Sequence, residues 1–202
     1  GNATYNNGMN NIKIWTDLPN DSLDQDNLND TLYYDFIGCN SILSGTYTVG
    51  GPTADFADFA SVMNNLYSCG VIGPVIFKVN PGTYMERLVI TDSIPGLSEI
   101  NHITFESATG DSTSVTIQYA SAGAADNGVI LFNGARYITL KGLHIKATGG
   151  NYAAAIVFEN EATHNIITNN FLETISGNNY NARCISSDYA NASHNQFLNN
   201  YM

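Results

Sequence analysis

Two stretches of the chain nearly repeat each other: Ala162-Thr163-His164-Asn165-Ile166-Ile167-Thr168-Asn169-Asn170-Phe171-Leu172 and Ala192-Ser193-His194-Asn195-Gln196-Phe197-Leu198-Asn199-Asn200-Tyr201-Met202. The step between them, 192 minus 162, is thirty residues, and within it Ala, His and Asn recur in place while Thr/Ser, Phe/Tyr and Leu/Met exchange in kind. Self-similarity at a fixed step of a few dozen residues marks a chain that stacks one small unit on the next, because no single unit buries its own apolar face. Arg136-Tyr137-Ile138-Thr139-Leu140-Lys141-Gly142-Leu143-His144-Ile145 fits the same block one coil earlier, at a step of 162 minus 135, or twenty-seven.

Ahead of the two repeats, beyond Pro74, the apolar residues fall in short alternating pairs broken by Gly, Asn and Asp. Val75, Phe77 and Val79 begin the series, then Ile103 with Phe105, Val115 with Ile117, Val129 with Leu131, Ile138 with Leu140, and Ile156 with Phe158. This is the period of strands. Propeller blades would need regular hairpin signals, and leucine-rich repeats a Leu pattern that is absent. The recurring Asn pairs favour a parallel β-helix, in which a turn Asn stacks on the Asn of the next coil. Upstream, Phe56, Phe59, Ala60, Met63, Leu66 and Tyr67 follow an i, i+3, i+4, i+7 stripe, which predicts a helix over about 55–68, capped by Thr53 or Asp55 and ended by Gly70. A helix before the first coil covers the open end of the stack. The fold expected is all-β: a right-handed parallel β-helix with an N-terminal capping α-helix over residues 42–202.

Residues 1–41 read differently. Ile12 and Ile14 alternate with polar residues, Thr31 to Ile37 make a second strand, and an acidic, turn-rich loop lies between them. Two or three strands are too few for a sandwich, so this segment is expected to be the C-terminal part of a β-sandwich that begins upstream.

The net charge is −11 with only seven Lys and Arg. That balance argues against a nucleic-acid groove and against an anionic membrane surface. Polarity without charge, in a chain whose charged fraction is 12%, suits stacked coils outside the cell. Cys39 and Cys69 bracket one segment and are candidates for a bridge in an oxidising compartment; Cys184 reads as a small buried hydrophobe.

Gly45-Thr46-Tyr47-Thr48-Val49-Gly50-Gly51, Leu66-Tyr67-Ser68-Cys69-Gly70-Val71, Gly73-Pro74-Val75-Ile76-Phe77-Lys78-Val79-Asn80-Pro81-Gly82-Thr83-Tyr84, Ile103-Thr104-Phe105-Glu106-Ser107-Ala108-Thr109-Gly110-Asp111 and Tyr137-Ile138-Thr139-Leu140 together carry a resemblance. From about residue 42 the chain resembles the pectin-lyase-like right-handed β-helix modules of very large secreted surface proteins of Bacteroidota. The resemblance implies an Ig-like domain ahead of the β-helix, export by type IX secretion, and a role in adhesion or in a surface filament. Its partners would be cell-surface glycans or proteins, or other subunits of a surface assembly.

Gly82-Thr83-Tyr84-Met85-Glu86 matches the Gly-x-Tyr-x-Glu of pectin methylesterases, so a carbohydrate esterase or lyase with catalytic coils downstream is the enzymatic alternative, and a glycan-binding module is a third reading. An esterase of that kind needs two carboxylates and an Arg on successive coils. A lyase needs Asp ligands for calcium and a basic groove. Arg136, Lys141, Lys146 and Arg183 are scattered, no catalytic residue is assigned, and the expectation is a non-catalytic module. Asp21, Asp24, Asp26 and Asp30 are the calcium candidates, although the loop lacks the EF-hand Gly and bidentate Glu. His144, His164 and His194 form a line without accompanying carboxylate or thiol, so His164, His194, Asn170 and Asn200 are read as a structural ladder. Tyr119, Tyr137, Tyr152, Tyr180 and Tyr189 are candidates for sugar stacking, and Ala120–Asn127 for a protruding contact loop.

Overall fold

The computed structural model describes residues 8–15, 31–39, 41–175, 181–187 and 191–202. The chain divides into two units, Gly1–Ile42 and Leu43–Met202. In the first, β1 (Gly8–Trp15) and β2 (Thr31–Gly38) pair antiparallel in unbroken register from Gly8 opposite Gly38 to Trp15 opposite Thr31. Ile14, Trp15, Leu32, Tyr33 and Tyr34 are exposed on this pair. A single pair of strands does not by itself show the Ig-like sandwich that the resemblance implied. The calcium candidates Asp21, Asp24, Asp26 and Asp30 lie outside the described residues.

The second unit is a parallel β-solenoid. After β3 (Leu43–Val49) and α1 (Phe59–Cys69), strands follow in a three-beat order: β4 (Val71–Val79), β5 (Gly82–Tyr84), β6 (Leu88–Thr91), β7 (Ile103–Ser107), β8 (Val115–Tyr119), β9 (Ile130–Asn133), β10 (Ile138–Lys141), β11 (His144–Ala147), β12 (Ile156–Glu159), β13 (Ile166–Thr168), β14 (Phe171–Glu173), β15 (Ile185–Ser186) and β16 (Gln196–Leu198). Every third strand pairs with its predecessor, giving a first sheet ordered β16-β13-β10-β7-β4-β3, a second ordered β14-β11-β8-β5 and a third ordered β15-β12-β9-β6. All these pairings are parallel.

Parallel stacking places like side chains above like. On the first sheet Phe77, Phe105, Leu140 and Ile167 form one inward column; on the third, Ile90, Phe132 and Phe158 form another. All of them are buried, with Phe77 and Phe105 stacked at 5.0 Å and Phe132 and Phe158 at 4.8 Å. Such offset rings contribute beyond the area they remove from water. One expected pair is out of phase. Val129 and Leu131 read as the inward set, but β9 turns Ile130 and Phe132 inward, and Leu131 lies on the outer side under a small apolar patch with Val89, Ala154 and Val157. The run Val129-Ile130-Leu131-Phe132 carries no alternation that could reveal its phase.

The corners are fixed by carboxamides. Asn165 Oδ1 accepts from the Ile138 amide at 3.0 Å, while its Nδ2 donates to the Ala135 carbonyl at 2.9 Å. Asn170 repeats the pattern with the Leu143 amide and the Leu140 carbonyl, and Asn195 and Asn200 repeat both one coil further on. Only an amide side chain supplies donor and acceptor together in this way. The residues just ahead, His164, Asn169, His194 and Asn199, have φ between 52° and 59°, so the chain turns through the left-handed region before each Asn.

Helix α1 begins later than its apolar stripe suggested. Asp58, not Thr53 or Asp55, is the N-cap and accepts from Ser61 N at 2.8 Å. Asp55 is bound instead to Thr48, whose amide and hydroxyl each donate to it at 2.7 Å, and Phe56 lies in a bridge with Val49. The first two free amides of α1 are taken by a distant carboxylate: Phe59 N donates to Glu86 Oε1 at 3.3 Å and Ala60 N to Oε2 at 2.8 Å. Gly70 ends the helix at φ 71°, where a Cβ would stand 2.2 Å from the Pro95 carbonyl oxygen. Losing the Glu86 carboxylate strips two amides of a charged acceptor at the positive end of the helix, so Glu86→Ala is expected to cost about 2 kcal/mol and to lower Tm by about 4–8 °C in a thermal melt.

Candidate functional site

Among the described residues the first sheet has six strands where the second and third have four, and its outward rows make the longest continuous face. Register places Ile76, Thr104, Thr139, Ile166 and Gln196 in one outward row. Thr48, Lys78, Glu106, Lys141 and Thr168 form the next. Along one margin Tyr137, His164 and His194 rise from the left-handed corners and stack. Tyr137 and His164 are 5.4 Å apart between centroids, and His164 and His194 are 4.8 Å apart with planes only 1° from parallel. Between this ring wall and the threonine row runs a groove of about 300 Å³, also lined by Glu99 and His102.

On the opposite margin of the same face, Glu106 is clamped by two ammoniums from the coils above and below. Lys78 Nζ lies 2.5 Å from Oε1, and Lys141 Nζ 2.9 Å from Oε2. Beside the clamp is a second hollow of about 330 Å³, lined by the turn from Ser107 to Gly110, by Gly142 and by Asn169. Burial pushes the Glu106 carboxyl up, but the hydrogen bonds and charges of Lys78 and Lys141 outweigh it and hold the group below its ordinary value. The sign follows. A carboxylate whose folded pKa lies below its unfolded value stabilises the fold above the unfolded pKa of about 4.3, and that contribution is lost as pH falls through the folded pKa. Lys141→Met is therefore expected to raise the Glu106 midpoint in a carboxyl-resolved NMR titration and to move acid unfolding to higher pH.

Most residues singled out in the sequence take structural places. Glu86 of the Gly-x-Tyr-x-Glu match is spent on α1, and Tyr84 donates to the Asn80 carbonyl at 2.9 Å, so this motif secures the helix cap. Tyr119 donates to Asp126 at 2.9 Å, and Asp126 also accepts from the amides of Ala122 and Gly123. The segment expected to protrude for contacts is thus tied down over a short helical turn at Ala124–Asp126. Tyr180 and Tyr189 lie outside the described residues. Cys184 is half-buried, and burial pushes its thiol up.

The histidine line divides. His164 and His194 stack, but ring lone pairs lie in the ring planes, and two parallel planes give them no common point for an ion about 2 Å from each nitrogen. His144 belongs elsewhere, on the outer face of the second sheet. Among the described residues no group of three metal-ligating side chains converges. The outward clamp was hidden in the sequence because Lys78, Glu106 and Lys141 are separated by 28 and 35 residues, unequal steps that become one column only after the insertions are looped out.

No helix among the described residues is long and apolar enough to cross a membrane. No family model and no curated protein matches the chain. Among solved structures, the pectin methylesterase from Aspergillus niger in deglycosylated form is similar over 80% of this chain, with 15% identity and a TM-score of 0.49. The chain spans 57% of the length of that enzyme. The parallel β-solenoid expected from the sequence is the one that the strand order of this chain shows. The expectation of a non-catalytic chain is corrected by the same match: the neighbour is an enzyme, so the assignment is withdrawn. At this identity the likeness concerns the fold, and no reaction is carried over from it.

Proposed function

We propose that this chain is a carbohydrate-recognition module of an extracellular surface protein, and that it holds a polysaccharide lengthwise along the outer face of the first sheet. The observation that carries the reading is the groove itself: a ring wall of Tyr137, His164 and His194 facing a hydroxyl-bearing row of Thr104 and Thr139, repeated from coil to coil. Strands about 4.8 Å apart set the hydroxyls of Thr104 and Thr139 one coil apart, beside rings that also step from coil to coil, which suits a polymer of hydroxylated units. Polar side chains without net positive charge match an uncharged, hydroxyl-rich ligand better than a nucleic acid. Attachment to a neighbouring cell or to a glycan matrix follows from such binding, and a stiff solenoid carrying it suits a filament.

Fluorescence titration or affinity electrophoresis against a panel of soluble polysaccharides tests this. Thr139 points outward from the middle of the groove floor, so Thr139→Arg fills the groove without entering the core. At least a tenfold loss of affinity in Thr139→Arg is expected, with wild-type affinity in a variant of the third sheet's outer face such as Val89→Thr. Equal loss in both variants, or no polysaccharide bound by the wild type, would remove the proposal.

A further inference from the structure

On the outer face of the second sheet three side chains from successive coils are joined in a single line. Thr116, on β8, stands opposite His144 on β11, which stands opposite Phe171 on β14, two residues before Glu173. Thr116 Oγ1 is 3.2 Å from His144 Nδ1, and His144 Nε2 is 2.8 Å from Glu173 Oε2. The direction of the protons follows from chemistry. Lys146 Nζ lies 2.7 Å from Glu173 Oε1, and hydrogen bonds from Lys146 and His144 hold the Glu173 carboxyl below its ordinary range despite some burial. An ionised carboxylate only accepts, so Nε2 of His144 carries the proton. In the neutral imidazole Nδ1 then bears the lone pair, and the Thr116 hydroxyl donates to it. Carboxylate, imidazole and hydroxyl are thus ordered as in an acyl-transfer relay, in which the base stands within reach of the nucleophile and is oriented by a third group. The ring of His144 is held in plane by stacking on Phe171 at 4.6 Å, and its side chain is only 14% exposed.

We propose that Thr116, His144 and Glu173 form an acyl-transfer site that cleaves small O-acyl esters, such as acetyl groups carried on a polymer lying across the second sheet. Thr116 Oγ1 bonds to the acyl carbon as its proton passes to His144 Nδ1. The ester C–O bond breaks, and the departing alkoxide takes that proton from Nδ1. Water then attacks the acyl-threonine, its proton passes to Nδ1 and on to Thr116 Oγ1, and a carboxylic acid leaves; ester plus water gives alcohol plus acid. Glu173 is the positioning residue that fixes the imidazole tautomer and stabilises the imidazolium. The N–H groups of Gln118 and Lys146 are the donors proposed for the acyl oxygen. Gln118 lies two residues further along β8 from Thr116, its Nε2 directed at the weak acceptor Met85 Sδ at 2.7 Å, and Lys146 stands opposite it in register. This site is on a different sheet from the groove, and its test does not depend on polysaccharide binding.

The experiment uses the full chain and p-nitrophenyl acetate, following nitrophenolate release and locating any acetyl adduct by peptide mass spectrometry. The expected result is acetylation at Thr116. Thr116→Val and His144→Phe, the latter keeping the ring stack, should each slow release at least about 100-fold, while Thr116→Ser retains it. Glu173→Gln should shift the pH profile of acylation as well as lower its rate. Acetyl groups found elsewhere, or release unchanged in Thr116→Val with circular dichroism unaltered, would overturn the assignment.

Discussion

Phe105→Ala is expected to be among the most damaging single truncations in the solenoid, lowering the unfolding free energy by about 4 kcal/mol and Tm by about 8–16 °C. The ring is fully buried, stacked on Phe77, and packs against Phe59 of α1 at 5.9 Å. It therefore joins the helix cap to two coils at once. In a stack stabilised by nearest-neighbour contacts, its removal both opens a cavity and uncouples the cap from what it covers. Urea unfolding followed by tryptophan-independent far-ultraviolet dichroism measures the loss, and a cost below about 1 kcal/mol would mean that the cap is held by something other than this aromatic cluster.

The second large effect is expected at a polar residue. Asn170 is 0% exposed, and its carboxamide is the acceptor for Leu143 N and a donor to the Leu140 carbonyl and to Asn200 Oδ1. Asn170→Ala leaves a buried amide and a buried carbonyl without partners, at a cost of about 3 kcal/mol. Asn170→Asp is expected to be no milder, since it keeps the acceptor but loses the donor and brings a charge into a site that has no counter-ion. A mild Asn170→Asp beside a severe Asn170→Ala would show that volume, not the paired amide, is what the corner needs.

These two residues also show what the sequence disclosed and what it withheld. The coil step was legible because a corner such as that of Asn170 tolerates one side-chain chemistry, which then recurs in place in the next coil. The capping helix was legible from its stripe, but not its start. Asp55 and Asp58 are equally good caps locally, and the choice between them was made by Thr48 and by Glu86 reaching across from the next coil. Outward rows were the least legible. Core positions repeat because they stack, whereas Lys78, Glu106 and Lys141, or Thr116, His144 and Glu173, differ in kind and become neighbours only through register. Loops such as that between β6 and β7 change the spacing of each coil, so the imidazole relay left no periodic signal, and of the groove only His164 and His194 did.

The central functional claim is that the outer face of the first sheet is the binding surface. Backbone and side-chain NMR of the isotopically labelled chain, titrated with an oligosaccharide from whichever polysaccharide binds, tests it most directly. Shifts are expected to cluster on Thr104, Thr139, Ile166, Gln196 and the rings of Tyr137 and His164. Perturbations confined to the second or third sheet, with those resonances unmoved at saturation, would contradict it.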